Sequence, residues 1–516
     1  MTSILTPSPA YAPEDLDAVC ATEGERTLTW REWNSRADRL ASSLGRRGVT
    51  AGDRVAVRMH TRLEWLIVSL ALSKLGAVIV AVNYRLSPPE TLYIASDCEV
   101  TAAVIDDREP STVVEAWGSL DLKVVVSVDV SAGGTELLAD LIEEGEEQDR
   151  VAKLLAPLVI YSSGTTGAPK GAPLASFQTD VDEAVLRDYR TSVQFDFAAG
   201  GPGNRTLINL PMHHGAGPSY TEFALATGGT VVFQRRFDAE EVLELIERHR
   251  ITHWVSVPTM LHRILKLPTE VRARYDISTL RFLLGGAAPF SAQLKQQVME
   301  VFGDVVYEIY GATEAGMIAG ATPELLRRKP AATGVPFRQV QVRIVDESGR
   351  PVPAGTAGQI TAKTPAVISG YIGRGPLGAD KIDAEGYYFT GDAGYLDDEG
   401  VLYLSDRIID MIIAGGVNIY PAESEAVIVT HPLVANVAVV GVPDDDHGEQ
   451  PIAFIQTVPG TSVTGEEILA FCEGKLAKYK WPRVIEFIDE IPTNSMGKTL
   501  KRVLRDTYLS AREAKA

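Results

Sequence analysis

A segment rich in glycine and hydroxyl side chains, residues 161–171, has the residue types that could bind a phosphate. Its sequence is YSSGTTGAPKG, which offers three glycines, four Ser or Thr hydroxyls and one lysine. Glycine lets backbone N–H groups approach an anion closely, hydroxyls donate hydrogen bonds, and Lys170 supplies a positive charge. A Walker A loop requires Gly-Lys-Ser/Thr, whereas Lys170 lies between Pro169 and Gly171, so a P-loop ATPase or kinase is disfavoured. The segment predicts a phosphate-binding loop of another kind.

Motifs of other enzyme classes do not explain the chain. His213 and His214 are adjacent, and neighbours in a strand point to opposite faces, so a strand would keep them from sharing one metal ion. His249 and His253 are spaced i,i+4 but lack the glutamate of a zincin motif, and a strand is predicted to begin at Ile251. No GxSxG elbow occurs, which disfavours a serine hydrolase. We expect neither zinc nor a nucleophilic serine.

The phosphate-binding loop is expected between a strand and a helix. Residues 158–161 are apolar and predict a strand that ends at the loop, and a helix is predicted from near Ser176. A long apolar stretch earlier in the chain, residues 65–82, predicts a helix to about Leu75 and then a strand over 77–82. This alternation of helix and strand favours an α/β fold with parallel sheets.

A complete βαβ unit is predicted over residues 281–309. Its strands are expected over 281–284 and 305–309, and its helix is capped by Ser291. Residues 285–289 and 310–314 are then expected as loops at the carboxyl ends of parallel strands, where open α/β sheets bind their ligands.

The pattern changes twice towards the carboxyl end. From about residue 340 to 405 short strands and turn residues predict a small antiparallel β unit. Mixed α/β character then resumes for about a hundred residues, enough for a compact terminal domain. We therefore divide the chain into domains 1–406 and 407–516. The predicted fold class is α/β, with parallel-rich sheets and a small β unit in the large part and an α+β terminal domain.

Composition limits the partners and the compartment. The 516 residues include 49 Lys and Arg against 68 Asp and Glu, so the formal net charge is −19. A chain this acidic is a poor partner for nucleic acid, although a few local cations can still hold a small phosphorylated ligand. Three widely separated cysteines and an amino terminus with no signal-peptide pattern predict a cytoplasmic protein without disulfides. No apolar run reaches the roughly 20 residues of a membrane span.

Five motifs in order resemble those of the adenylate-forming superfamily, which includes acyl-CoA synthetases, luciferases and the adenylation domains of peptide synthetases. The chain is most similar to the branch of AMP-dependent acyl-CoA ligases. The motifs are YSSGTTGAPKG at 161–171, YGATE at 310–314, TGD at 390–392, DR at 406–407 and PTNSMGK at 492–498. The resemblance extends from about Leu28 to Arg505. It implies a large amino-terminal part and a small, mobile carboxyl-terminal domain.

The resemblance implies a role for each matching position. The first motif would bind the triphosphate of ATP, and residues 286–287 and 310–311 would line the adenine site. The carboxylate at position 314 and a hydroxyl of the first motif would bind Mg²⁺, and the aspartate of the TGD motif would bind ribose. The implied nucleotide-binding residues are Ser162, Ser163, Gly164, Thr165, Thr166, Gly167, Lys170, Gly286, Ala287, Tyr310, Gly311, Asp392 and Arg407, with Glu314 and Thr165 as metal ligands. The implied catalytic residues are Thr313 near the α-phosphate, Glu314, His214 near the acyl carboxylate, and Lys498 between carboxylate and phosphate oxygens.

These roles imply a ligase with two half-reactions. A carboxylate attacks the α-phosphorus of ATP to give an acyl-AMP and pyrophosphate, and the acyl group then passes to CoA as a thioester. The segment AGGVNIYPAE resembles the stretch that forms the pantetheine tunnel, with Gly415 and Gly416 beside the thiol arm. The resemblance implies that rotation of the terminal domain moves Lys498 out of the site and brings the face with Gly415 and Gly416 into it. The hinge position departs from the pattern, because Ile409 stands where relatives commonly have Asp or Lys.

By resemblance, residues 212–217, 254–260, 285–286 and 315–317 surround the acyl group, which suits a bulky, aromatic or long-chain acid. The expected partner is a small carboxylic acid, with no nucleic acid and no integral membrane segment, and the chain could form a homodimer. Two alternatives stay open. The adenylation fold could serve another acceptor or acid, namely a carrier protein, an amine or nitrite for N–N bond formation, or the chain could be a nucleotide-binding protein without turnover.

Overall fold

The structure is a computed structural model, and it describes residues 15–148, 156–162, 169–174, 181–407, 410–414, 417–444, 448–494 and 498–513.

In the first 336 residues, strands and helices alternate. The strands are β1 Val19–Glu23, β2 Arg26–Thr29, β3 Arg54–Arg58, β4 Val78–Ala81, β5 Ala102–Ile105, β6 Val125–Ser127, β7 Glu136–Leu137, β8 Leu158–Ser162, β9 Lys170–Pro173, β10 Arg205–Ile208, β11 Thr230–Phe233, β12 His253–Ser256, β13 Phe282–Gly286, β14 Val306–Ala312, β15 Gly316–Ala321 and β16 Val335–Pro336. The helices are α1 Trp30–Arg46, α2 Leu63–Leu75, α3 Pro88–Asp97, α4 Pro110–Ala116, α5 Leu138–Glu144, α6 Glu183–Thr191, α7 Ala216–Ala226, α8 Ala239–Arg248, α9 Pro258–Leu265, α10 Thr269–Arg272, α11 Ala292–Phe302 and α12 Pro323–Arg328.

These strands form two parallel-rich sheets. One has the order β7-β6-β5-β3-β4-β8-β9, and the other has the order β16-β15-β14-β13-β12-β10-β11-β1-β2. The central strands of both sheets are almost continuously apolar because helices cover both faces. One apolar core contains residues of both sheets, including Val57 and Ile79 of the first and Val255 and Leu284 of the second.

Charged side chains join the same two sheets. Asp106, which follows β5, accepts hydrogen bonds from Arg62 (2.9 Å) and from Arg235 beyond β11 (3.2 Å). Asp106 is buried, and these donors together with His60 hold the pKa of its carboxyl below the usual range although burial opposes the shift. The two sheets are therefore held by paired charges as well as by apolar packing.

The small β unit is a separate antiparallel sheet with the order β17-β18-β21-β22, accompanied by a short hairpin, β19-β20. Its strands are β17 Gln341–Val345, β18 Gly358–Lys363, β19 Gly370–Tyr371, β20 Arg374–Pro376, β21 Tyr388–Leu396 and β22 Leu402–Arg407. A turn at residues 397–400 joins β21 to β22.

The terminal region has its own sheet and its own apolar cores. Its elements are β23 Ile412–Ala414, β24 Val417–Ile419, α13 Pro421–Ile428, β25 Val434–Asp444, β26 Gly448–Thr457, α14 Gly465–Cys472, β27 Val484–Phe487 and α15 Lys501–Glu513. Helix α13 packs against β22. The division at residue 406 stays a prediction.

Most of the expected elements are confirmed. The βαβ unit is present as β13-α11-β14, Ser291 caps α11 by accepting from the Leu294 N–H (3.2 Å), and α2 and β4 match the helix and strand predicted over 65–82. The helix predicted from near Ser176 begins outside the described residues; the first described helix after the loop, α6, starts at Glu183. In the part of the chain that the structure covers, no helix has both the length and the apolarity to cross a membrane.

Two local predictions are wrong. Both expected loops begin later than predicted. Residues 285–286 belong to β13, which pairs with β14 as far as Gly286, and residues 310–312 belong to β14, because β15 pairs antiparallel with it and extends it to Ala312. His213 and His214 are not in a strand; they lie in a turn in which the His214 N–H donates to the Pro211 carbonyl (3.2 Å), just before α7 begins. The argument from alternating strand faces therefore does not apply to this pair.

Candidate active site

The carboxyl ends of β13 and β14 form one wall of the candidate site. At Gly286 a Cβ atom would lie 2.9 Å from the Ile309 carbonyl oxygen, so the two strands can approach only because this residue is glycine. The next residue, Ala287, has φ 63°, the left-handed conformation that turns the chain away from the sheet. The backbone at the predicted adenine position is thus fixed by close packing.

A buried ion pair lies behind this wall. Lys295 of α11 pairs with Glu308 of β14, and the Lys295 ammonium also donates to the Ala332 carbonyl (2.8 Å). Burial raises the pKa of Glu308 to about 7, although the neighbouring ammonium opposes the shift. The pair supports the strand that continues into Tyr310.

The loop between β14 and β15 carries Thr313 and Glu314. Its backbone is held on two sides, because the Ile368 N–H donates to the Glu314 carbonyl (2.8 Å) and the Thr364 hydroxyl donates to the Ala315 carbonyl (2.5 Å). On a third side, the hydroxyl of buried Tyr189 donates to the Met317 carbonyl (2.9 Å) and accepts from the Met317 N–H (2.8 Å). The predicted metal ligand therefore projects from a tightly braced loop.

The TGD motif lies beside Tyr310. The Tyr310 hydroxyl donates to Asp392 Oδ2 (2.7 Å), and the Asp392 N–H donates to the Thr390 hydroxyl (3.1 Å). Pairing of β21 with β22 sets Asp392 opposite Arg407 in the backbone register. Three motifs that are far apart in the sequence thus converge on one place.

The Lys170 end of the phosphate-binding segment lies near the same place. Ser162 and Lys170 are opposite partners in the β8-β9 pair, so the ends of the intervening segment are adjacent. Lys170 Nζ lies 5.3 Å from the centre of the Tyr371 ring, and the Tyr371 hydroxyl donates to Glu314 Oε1 (3.0 Å). Burial and then the charge of Glu314 raise the pKa of Tyr371, so its hydroxyl stays a donor at neutral pH.

Several predicted site residues cannot be placed. Ser163, Gly164, Thr165, Thr166, Gly167, Ile409, Gly415 and Gly416 lie outside the described residues, and the side chains of Ser162 and Arg407 are likewise not described. The Lys498 N–H donates to Asn494 Oδ1 (2.9 Å), and the Lys498 carbonyl accepts from the Asn494 N–H (2.8 Å). Its role stays a prediction.

The histidine pair lies in a buried environment. Burial lowers the pKa of His214 to about 4 and, together with neighbouring cationic groups, that of His213 to about 3, so both rings are neutral at pH 7. Met212 belongs to the apolar core that also contains Val255 and Leu284. The predicted acyl-lining residue Trp254 does not share this environment, because strand alternation turns it into the opposite core layer against Phe302.

A divalent cation fits the donor set at Glu314. In the described chain no cluster of three or more His, Cys, Asp or Glu side chains could enclose a metal ion. Mg²⁺ does not require such a cage, since it is commonly bound by one or two carboxylates, substrate phosphates and water. Glu314 is half-buried and offers hard carboxylate oxygen, which matches that mode of binding.

Tyr371 and Tyr189 are the contacts that the sequence analysis missed. Tyr371 is 57 residues from Glu314, and Tyr189 is 128 residues from Met317. No short-range pattern connects such residues. The SGYIGRGP segment, with three glycines around Tyr371, was the one local sign of a close-packed turn.

Comparison with known proteins gives consistent results. Residues 9–372 match the family model described as AMP-binding enzyme, and residues 423–498 match that described as AMP-binding enzyme C-terminal domain. Fatty acid–[acyl-carrier-protein] ligase ScoC of Streptomyces coeruleorubidus is 34% identical over 489 residues, which cover 94% of this chain and 92% of the relative. The 2-succinylbenzoate–CoA ligase of a Bacillus cereus strain is 35% identical over 482 residues, covering 93% and 94%.

A solved structure extends the comparison to the fold. The o-succinylbenzoate CoA synthetase MenE of Bacillus subtilis, solved with its acyl-adenylate intermediate, superposes with a TM-score of 0.79 at 30% identity, covering 95% of each chain. The similarity therefore includes both the large part and the terminal domain.

Proposed function

The chain belongs to the AMP-binding enzyme family, and from this premise we propose that it activates a carboxylic acid with ATP and transfers the acyl group to CoA. In the first step a carboxylate oxygen bonds to the α-phosphorus as the bond to the β-phosphate breaks, and pyrophosphate leaves. In the second step the CoA sulfur bonds to the acyl carbonyl carbon and AMP leaves. The enzyme is an AMP-forming acid–thiol ligase.

The convergence of Tyr310, Asp392, Glu314 and Lys170 carries the proposal. Two Tyr–carboxylate hydrogen bonds, of 2.7 and 3.0 Å, bring the YGATE and TGD motifs together with the lysine of the phosphate-binding segment. An anionic triphosphate needs a cation, a metal ligand and a ribose acceptor in one place, and this arrangement supports that assignment for Lys170, Glu314 and Asp392.

Each residue then has a definite task. We assign ribose hydroxyls to the Asp392 carboxylate, adenine to the wall at Gly286 and Tyr310, and the phosphates to Lys170 and the segment before it. Glu314, with a hydroxyl of the phosphate-binding segment such as Thr165, would hold Mg²⁺. When bound, Mg²⁺ supplies positive charge to the phosphate oxygens as negative charge shifts among them. Thr313 is assigned to the α-phosphate and Lys498 to the attacking carboxylate.

The acid class follows from the surroundings of His214. Its neutral ring and the apolar side chains near Met212 favour an acid with an aromatic or other apolar group. The relative that acts on 2-succinylbenzoate supports an aromatic acid. We therefore assign an aromatic or similarly bulky acid to this chain.

The test is carboxylate-dependent exchange of pyrophosphate into ATP over a panel of aromatic, alicyclic and long-chain acids, followed by product analysis with and without CoA. We expect exchange with aromatic acids and a thioester only when CoA is present. ATP binding without exchange for any acid would contradict the proposal and support a nucleotide-binding protein without turnover.

Lys498→Ala tests the catalytic assignment. Loss of one preorganised charge partner commonly lowers a rate by about 10²–10³-fold, so we expect exchange to fall by that factor while the unfolding midpoint stays unchanged. Lys478→Ala, at an exposed lysine of the same terminal region, is the matched control and should keep wild-type exchange. Near-normal exchange in Lys498→Ala would refute the role of this lysine.

A carrier protein is the second candidate acceptor, because the similarity to the acyl-carrier-protein ligase is nearly as high as that to the CoA ligase. The two acceptors share the adenylation step, so exchange cannot distinguish them. Product formation with CoA alone supports the first candidate, and a product that requires phosphopantetheinylated carrier protein supports the second. A homodimer and a cytoplasmic location stay predictions.

A further inference from the structure

The short hairpin β19-β20 and the residues beside it, 368–376, connect two parts of the candidate site. We call this segment the bridging hairpin. At one end the Ile368 N–H donates to the Glu314 carbonyl (2.8 Å), and at the other the Ile372 N–H donates to the Gly171 carbonyl (2.9 Å). The segment thus contacts both the loop of the predicted metal ligand and the strand that follows the phosphate-binding segment.

A second set of contacts fixes the far side of the bridging hairpin. Arg374 donates to the Tyr93 hydroxyl (3.2 Å) and to Asp97 Oδ1 (3.1 Å), and the Tyr93 hydroxyl donates to the Pro169 carbonyl (3.0 Å). Pro169 directly precedes Lys170. The hairpin is therefore anchored to the base of the phosphate-binding segment as well as to Glu314.

Tyr371 is the side chain of this hairpin that reaches both charged groups. Its hydroxyl donates to Glu314 Oε1 at 3.0 Å, and its ring lies 5.3 Å from Lys170 Nζ. Within the described residues neither Lys170 nor Glu314 forms an ion pair with another side chain. A lysine and a glutamate this close to one aromatic ring could pair directly, which would neutralise both before a ligand arrived.

We propose that Tyr371 is a positioning residue that keeps Glu314 and Lys170 apart and oriented for a metal–triphosphate complex. The hydroxyl fixes the carboxylate by one oxygen, which leaves the other oxygen to the metal. The electron-rich face of the ring attracts the ammonium without neutralising it. Groups that orient a metal ligand in this way typically change metal affinity or activity by about 10–100-fold when removed.

This role rests on the proposed function, so its test needs a measurement that does not depend on turnover. Mn²⁺ binding to the complex of the enzyme with a non-hydrolysable ATP analogue can be followed by the electron paramagnetic resonance signal of free Mn²⁺. The Mg²⁺ concentration for half-maximal pyrophosphate exchange gives the second measurement.

Tyr371→Phe removes the hydroxyl and keeps the ring. We expect Mn²⁺ affinity to fall about 10–100-fold and the Mg²⁺ requirement to rise by a similar factor, with an unchanged KM for the acid. Tyr371→Leu also removes the ring and should in addition weaken binding of the analogue measured without metal. The matched control is Tyr403→Phe, which removes a Tyr hydroxyl that donates to a carboxylate, Asp397 (3.1 Å), elsewhere in the same β unit.

The outcomes separate the two proposals. Wild-type Mn²⁺ affinity and Mg²⁺ requirement in Tyr371→Phe would overturn the positioning role, as would an equal change in Tyr403→Phe. A wild-type chain that binds the Mn²⁺–analogue complex but exchanges no pyrophosphate would overturn the proposed function alone. A chain that binds no such complex would overturn both.

Discussion

Lys295 and Glu308 form the buried ion pair behind the β13–β14 wall of the candidate site. Replacing Lys295 by methionine removes one charge of this pair and nearly preserves the side-chain volume. Lys295 is 2% exposed and Glu308 6%, so water cannot replace the lost ammonium. Removing one partner of a buried pair costs about 3–5 kcal/mol of unfolding free energy, because the remaining charge stays desolvated. We expect this loss for Lys295→Met at pH 8.

The same reasoning predicts a pH dependence of definite sign. In the wild type the pKa of Glu308 is already raised to about 7, and without the lysine it should rise further. A carboxyl whose folded-state pKa exceeds its unfolded value of about 4.5 takes up a proton on folding, so stability falls as pH rises from the lower value to the higher. The cost of Lys295→Met should therefore shrink by up to about 1.4 kcal/mol between pH 8 and pH 7, and change little from pH 7 to pH 6, where Glu308 becomes protonated in the wild type as well.

Urea unfolding at pH 8, 7 and 6 measures this effect. The double variant Lys295→Met/Glu308→Leu should recover most of the loss, since a buried pair replaced by apolar side chains is often neutral. Arg187→Met is the control; it breaks an exposed pair with Glu183 and should cost no more than about 0.5 kcal/mol. A cost that does not change with pH, or a double variant less stable than Lys295→Met, would refute the reasoning.

Two further predictions concern the site. Tyr310→Phe should raise the KM for ATP about 5–10-fold with little effect on the KM for CoA, because Asp392 loses the hydroxyl that orients it. Steady-state kinetics with each substrate varied in turn would measure both constants. Equal changes in the two KM values would contradict the prediction. The pKa of His213 is about 3 in the folded chain and about 6.5 when unfolded, so the unfolded state binds the extra proton and stability falls as pH drops through 6.5. From pH 7 to pH 5 this protonation lowers the unfolding free energy by about 2 kcal/mol. His213→Asn should therefore reduce the drop in thermal midpoint over that pH range. An unchanged drop would show that His213 stays charged in the fold.

Local signals were enough to predict most of the fold. Periodicity and caps gave the helices and strands of the βαβ unit, because those features depend on residues close together in the sequence. The fold class and the ligase activity predicted by resemblance are confirmed, and the individual site residues stay predictions.

The failures share a physical cause. Strand β14 continues through Gly311 and Ala312 only because β15 folds back against it, and no property of residues 310–312 alone indicates that pairing. Tyr371 and Tyr189 act through single hydroxyls on partners distant in the sequence, so their contribution depends on the completed fold. Trp254 was expected near the acyl group by resemblance, and in the structure strand alternation places it in the core layer that contains Phe302.

The amino-terminal hairpin β1-β2 affects how the chain folds during synthesis. It joins the edge of the nine-stranded sheet by pairing Ala21 with Val231, so 231 − 21 = 210 residues separate the partners. At about 5–20 residues per second a ribosome needs roughly 10–40 s to supply that partner. Strands β1 and β2 therefore cannot complete their pairing until β11 has been made, and during that interval the hairpin presents unpaired backbone groups. Because unpaired strand edges can pair with other chains, we expect substitutions in residues 19–29 that weaken the hairpin to lower the yield of folded protein.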